Sequence, residues 1–223
     1  RVCMLVTTVA FATHVVFLPL ISRAALESPN RVNEVLRRSL SLTSAVILPL
    51  TIGGIVAARP LLVFFFGSEY GAAHIAFSVL LGSIALLSIH GTLHNVFIAQ
   101  HKTRNEATIF GAGALINMVL NLILIPRYGL TGAAFATLAA EAFILAASVL
   151  TLKRWGMKLE ISRTLLPLGG SLVMGAAIAP LVERIPVWLL VPFGGLVYLV
   201  IFAAAGGFRR LRDVTIVASA AAD

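Results

Sequence analysis

Four sets of polar side chains stand inside otherwise apolar sequence, and each is of a type that can bind an ion or line a wet path. Asn117 and Asn121 lie four apart in "INMVLNLILI", so both amides share one helix face. Glu141 follows in the next apolar run, nine residues past Gly132. Turned toward hydrocarbon, the amides would leave donors and acceptors unsatisfied. An ionised carboxylate there is costly unless it is paired, hydrated or protonated. The asparagines therefore either fasten helix to helix, at roughly 1 kcal/mol per contact, or line a transport path. Glu141, placed to reach them across a hairpin, either anchors the bundle or works in transport.

His90 and His94 stand four apart in "IHGTLHN". That spacing suits a metal, but no third ligand of suitable type lies nearby in sequence, so no metal is expected. Packing, headgroup contact or pH-linked gating is the expected use, since histidine titrates near neutrality. In "VTTVAFATHVV", Thr7 and His14 are seven apart, two turns along one face, with Thr8 and Thr13 beside them. A polar stripe of this kind inside a bundle is what the wall of a water-filled cavity requires. Threonine hydroxyls that bond back to their own helix are the alternative. The one cysteine, Cys3, excludes an internal disulfide and a cysteine-based metal cluster.

The elements that must hold these groups are membrane helices. Hydrophobic residues make up 59% of the 223 and charged residues 12%, and mean hydropathy is +1.00. Soluble domains carry about 25% charged residues. Apolar runs close to the ~20 residues that cross hydrocarbon recur along the chain. They predict an all-α integral membrane protein with spans at Val2–Ile21, Leu40–Ala58, Ala72–Ala99 and Ala107–Ile125. Three more follow at Gly132–Leu152, Leu165–Leu181 and Trp188–Gly207, about seven in all. The stretch "RPLLVFFFGSEYG" is too short to cross and suits an interfacial helix and turn.

Charge sets the expected orientation. If the first span ends inside, only Arg1, Arg59, Arg127 and Arg184 of the 17 Lys and Arg lie outside. Thirteen against four is a strong positive-inside bias, with the C-terminus cytoplasmic. The net charge of +8 is then a topology signal. Nucleic-acid binding would need a soluble basic face, and no soluble domain is available to carry one. The inner segment "SRAALESPNRVNEVLRRS" spaces its apolar residues helically. It is expected to lie along the membrane surface with its arginines near anionic headgroups, or to be a solvated connecting helix. Arg37 and Arg38 are accordingly candidates for headgroup contact or gating. The longest connection is residues 22–39, which leaves no room for an extramembrane catalytic domain, so no enzyme is expected. The chain opens on Arg1 inside a hydrophobic helix, with no initiator Met and no signal-peptide n-region. It is therefore expected to be the C-terminal part of a longer protein.

Three stretches together carry a family likeness: "FLPLISR", "RPLLVFFFGSEYGAA" and "NMVLNLILIPRYGLTGAAFATLAAE". They resemble the C-terminal lobe of the polysaccharide and oligosaccharide flippases of the multidrug/oligosaccharidyl-lipid/polysaccharide superfamily. The likeness covers about residues 15–155, and the last pair of spans matches by position and hydropathy. It implies a two-lobed, 14-helix flippase whose C-terminal half this chain supplies. Residues 1–155 would be the core of that lobe, 156–208 an extra hairpin and 209–223 a cytoplasmic tail. The resemblance also implies alternating access by rocking lobes and a cavity bordered by Val2–Ile21, which favours Thr7 and His14 as path residues.

The implied function is movement of a polyprenyl-pyrophosphate-linked oligosaccharide from inner to outer leaflet of a bacterial cytoplasmic membrane. That step serves O-antigen, capsule or exopolysaccharide synthesis and involves no covalent chemistry. The implied partners are the lipid-linked substrate, membrane lipids, the N-terminal lobe and polysaccharide polymerase machinery. No cofactor is implied beyond a coupling ion, H+ or Na+, left open. Lipid II flipping or cation-coupled drug extrusion is the alternative within the superfamily. Outside it, the alternative is a membrane scaffold or enzyme of polysaccharide assembly.

Overall fold

The computed structural model describes residues 2–159 and 162–207. The side chains of residues 2–7, 9–13, 162 and 163 lie outside that description, and with them those of Thr7, Thr13 and Cys3. Among the described residues all regular structure is helical. Helix α1 (Val2–Glu27) passes directly into α2 (Pro29–Val56). Ser28 between them is extended (φ −169°, ψ 157°) and its hydroxyl accepts the Arg31 N–H at 3.3 Å. Pro29 holds the first helical position, where a missing N–H leaves nothing unsatisfied.

The predicted surface segment is thus the ends of two long helices. Its helical spacing is real but faces protein. Val32, Val35 and Leu36 are buried against Phe17, Ile21, Leu93, Phe97, Leu152 and Met157. The face assigned to lipid or solvent is covered by neighbouring helices.

The stretch after α2 forms a short helix, α3 (Ala58–Phe66), and a 3-10 segment, Ser68–Ala73, as the interfacial reading expected. Gly67 joins them at φ 102°, a left-handed value that favours glycine. Phe64, Phe65, Phe66 and Tyr70 are exposed and meet edge-on or tilted in sequence as a ridge, with successive ring centroids 5.1, 6.4 and 5.7 Å apart.

Helix α4 (His74–Ala99) leads to α5 (Thr103–Arg154), a 52-residue run broken at Gly129, where φ is 55° and ψ −131°. Straight, such a run would be ~78 Å long, more than twice the ~30 Å of hydrocarbon. It folds back instead. Pro126 removes one N–H and blocks the preceding turn, and Gly129 takes the non-helical dihedrals. A Cβ added at Gly132 would strike the Leu124 carbonyl, and one at Gly113 the Ile144 side chain. These two approaches have nearly the same midpoint in sequence, which is the signature of an antiparallel pair.

Helices α6 (Ser162–Ile178) and α7 (Val187–Ala204) complete the bundle. They dock on α2: Gly175 lies against Ile52, and the Tyr198 hydroxyl donates to the Ala45 carbonyl at 2.9 Å. Segments Pro29–Val56, Ser68–Ala99, Thr103–Arg154, Thr164–Leu181 and Val187–Ala204 are each long and apolar enough to cross a membrane. The folded-back α5 supplies two crossings and α1 overlies the first predicted span. The all-α membrane architecture read from the sequence is the one observed.

Candidate functional site

Helix α4 carries five buried polar groups, Ser83, Ser88, His90, Thr92 and Asn95. The Ser83 and Ser88 hydroxyls donate to carbonyls of α4 itself, while neighbouring helices bond Asn95, Thr92 and the Ser88 carbonyl. From α1, the His14 Nε2–H donates to the Ser88 carbonyl at 2.8 Å. Asn95 returns a bond from its Nδ2 to the His14 carbonyl at 3.0 Å. Glycine at 91 makes this possible, because any Cβ there would overlap the imidazole. From α2, the Thr43 and Thr92 hydroxyls meet at 3.1 Å. His14 is therefore spent on the α1–α4 seam, with Thr8 exposed further along α1. Thr7, its predicted partner in a polar stripe, has a side chain outside the described residues.

His90 and His94 point from α4 toward the start of α5. There the sequence reading missed a partner. Glu106, placed by that reading at the edge of a loop, lies in the first turn of α5 with its side chain 4% exposed. Its Oε1 contacts His94 Nδ1 and stands 3.9 Å from His90 Nε2. The His90 ring also meets Phe110 edge-on at 5.0 Å. A tight corner brings these groups together, with His101 at φ 54° and the Lys102 N–H on the Phe97 carbonyl at 2.9 Å. An acid twelve residues beyond His94, across a turn, was the available signal. Among the described residues no three His, Cys, Asp or Glu are arranged to hold a metal ion.

Asn117, Asn121 and Glu141 do share a site. They line a groove of about 570 Å³ between the two arms of α5, with Phe110, Gly113 and Ile144. The asparagines, however, bond to each other. Asn121 Nδ2 donates to Asn117 Oδ1 at 2.7 Å along one helix. Amides four apart are closer to one another than to the opposite arm, so the expected bond across the hairpin is replaced by a bond within it. Glu141 Oε2 and Asn121 Oδ1 are left buried without a hydrogen-bond partner among the described residues. The groove belongs to a hairpin whose outward side is apolar and bare, with Leu115, Met118, Leu122 and Ile123 each at least half exposed.

Arg37 and Arg38 sit half-buried in the first turns of α2. Arg38 pairs with Glu34, which Arg31 also reaches at 2.7 Å while touching Glu27 at 3.4 Å. Partly exposed pairs of this kind, within one helix and open to screening, contribute about 0–1 kcal/mol. They order the Arg-rich end of α2 rather than hold it in place.

The family described as "Lipid II flippase MurJ" matches residues 3–197. Among curated proteins, the uncharacterized membrane protein YabM of Bacillus subtilis (strain 168) is 29% identical over 174 residues, 78% of this chain and 32% of that one. A probable low-salt glycan biosynthesis flippase, Agl15 of Haloferax volcanii, is 27% identical over 107 residues, 48% of this chain and 23% of its own. Among solved structures, a lipid II flippase MurJ in the inward closed conformation superposes with a TM-score of 0.77 at 23% identity. That match covers 93% of this chain and 45% of the other, so the two share a fold. This chain spans about a third of the length of the first curated relative. The resemblance to the flippases of the multidrug/oligosaccharidyl-lipid/polysaccharide superfamily is borne out, and the matched region reaches into α7.

Proposed function

The chain belongs to the lipid II flippase MurJ family, and from that premise we propose that it serves to move a lipid-linked glycan across a membrane by alternating access. The family match over residues 3–197 carries the reading. The substrate is a polyprenyl-pyrophosphate-linked oligosaccharide destined for surface polysaccharide, a reading supported by the likeness to a probable glycan biosynthesis flippase of Haloferax volcanii. Lipid II itself is the second reading, favoured by the family's description. In both, the polar head crosses through a hydrated interior while the lipid tail stays in the bilayer. No bond is made or broken.

The chain's own residues support the mechanism in three ways. The seam of His14, Ser88 and Asn95 joins α1 to α4, so the two helices move as one body. The groove of Asn117, Asn121 and Glu141 holds unpartnered oxygens in an open apolar hairpin. A buried carboxylate in that setting needs a proton, a cation or water, and this makes Glu141 our candidate for coupling to H+ or Na+. Thr7 and His14 remain candidates for the cavity border, and His90, His94, Arg37 and Arg38 for gating at the basic end. The positive-inside bias supports placing that end at the cytoplasmic face of a bacterial inner membrane. There the chain works with an N-terminal lobe and with polymerase machinery.

The test is loss of translocation in intact cells. Depletion of the protein should trap a labelled lipid-linked glycan in the inner leaflet, read by its protection from an added outer-face glycosidase. Normal appearance of both the oligosaccharide carrier and lipid II in the outer leaflet after depletion would refute the reading. Trapping of lipid II alone would select the second substrate.

A further inference from the structure

Glu106 is the most enclosed carboxylate among the described residues, at 3% exposure. Its surroundings are not those of a passive structural acid. His94 Nδ1 contacts its Oε1. The same oxygen faces His90 Nε2 at 3.9 Å, too far for a hydrogen bond. His90 is 1% exposed and that nitrogen has no hydrogen-bond partner. A buried polar atom aimed at an acceptor it does not reach calls for an explanation.

We propose that His90, His94 and Glu106 form a two-proton site that clamps the α4–α5 corner, and that occupancy by the second proton draws the first turn of α5 onto α4. One proton is shared between His94 and Glu106, and with His90 neutral the three side chains carry no net charge. A second proton, taken from water onto His90 Nε2, makes the cluster +1 and turns that nitrogen into a donor. Its nearest acceptor is Glu106 Oε1. Closing from 3.9 Å to the ~2.8 Å of a charge-assisted hydrogen bond moves the turn by about 1 Å.

The other groups around the site are accounted for. Of the elements packed on α4, α1 brings His14, whose Nε2 is committed to Ser88. At this level α2 brings the uncharged Thr43. On the connecting turn His101 and Arg104 are exposed, and the Lys102 ammonium lies over the Trp155 ring at 3.9 Å. Among these groups Glu106 Oε1 is the acceptor that faces His90 Nε2. The clamp stands without the flippase reading; only its effect on transport rests on that reading.

The test is histidine NMR on the full-length protein in lipid nanodiscs, titrated from about pH 3 to pH 8. The resonance lost in His90→Gln should titrate, and in Glu106→Gln its midpoint should fall by a unit or more, tenfold or greater in proton affinity. Tyr198→Phe, at the α2–α7 contact with the Ala45 carbonyl, should leave the midpoint in place and serves as the control for a general packing change. If Glu106→Gln does not fold, Glu106→Asp withdraws the carboxylate and should lower the midpoint less. A His90 midpoint unmoved by either Glu106 variant, or a His90 that never titrates, overturns the clamp. Translocation is then followed over the same range. A protein that titrates as stated yet moves neither glycan carrier refutes the flippase reading and leaves the clamp standing. One that translocates with no His90 titration refutes the clamp alone.

Discussion

Replacing Gly91 by alanine should destabilise the protein, and removing His14 should reverse the sign of that effect. A Cβ at position 91 would lie 2.5 Å from His14 Nδ1 and 2.7 Å from Nε2. No methyl group sits that close to a ring, so the imidazole must swing away and release the Ser88 carbonyl. The lost hydrogen bond costs about 0.5–1.5 kcal/mol, and overpacking the seam roughly 1–3 kcal/mol. Against this stands the helix preference for alanine over glycine, up to about 1 kcal/mol. That gain shrinks where the denatured state keeps its membrane helices. The net for Gly91→Ala is a loss of roughly 1–3 kcal/mol by these terms. In a His14→Ala background nothing occupies the space, and the same substitution should be neutral or stabilising by up to about 1 kcal/mol. Unfolding of the purified wild type, both single variants and the double variant in detergent closes the cycle. If Gly91→Ala is as harmful without His14 as with it, the glycine does not serve the imidazole and the seam is wrongly drawn.

Other substitutions probe separate parts of the structure. Glu141→Gln should reduce glycan translocation severalfold at unchanged membrane abundance, with export and immunoblot measured together; a proportional fall in both would make the residue structural. Tyr198→Phe removes the bond to the Ala45 carbonyl and should cost about 1 kcal/mol, seen as faster proteolysis between α6 and α7. Gly129→Ala forces a side chain into φ 55°, ψ −131°. It should cost about 1–3 kcal/mol in thermal stability, with little change if the hairpin re-forms its turn at a neighbouring residue. Ser28→Ala deletes the cap on Arg31 N–H and should cost about 1 kcal/mol, measured by unfolding.

The helices were legible because burial in hydrocarbon demands long apolar runs, and these runs end where α4 and, within two residues, α5 end, whereas α1 runs on past the predicted Ile21 to Glu27. "IPRYG" marked the fold-back because proline and glycine act locally. What covers a face was less legible. Val32, Val35 and Leu36 announce a shared side by spacing alone, yet the cover proved to be α4 and Met157 rather than a membrane surface. The asparagines were placed on the correct face, but spacing cannot decide between a partner four residues away and one on the next arm. Glu106 was missed for a geometric reason. Its meeting with His94 depends on the left-handed His101 and the tight corner around it, and nothing in the run of residue types specifies that corner.

The ridge of Phe64, Phe65, Phe66 and Tyr70 sets one further condition on the bundle. Aromatic rings settle at the level of the lipid headgroups, and here they belong to a short helix that continues from the end of α2. That end of the protein is therefore held at one depth. A change in bilayer thickness is met at the opposite end, by the α4–α5 corner and the arginines of α2, whose long side chains can follow a moving interface. Membrane thickness and the packing of that corner are in this way mechanically linked.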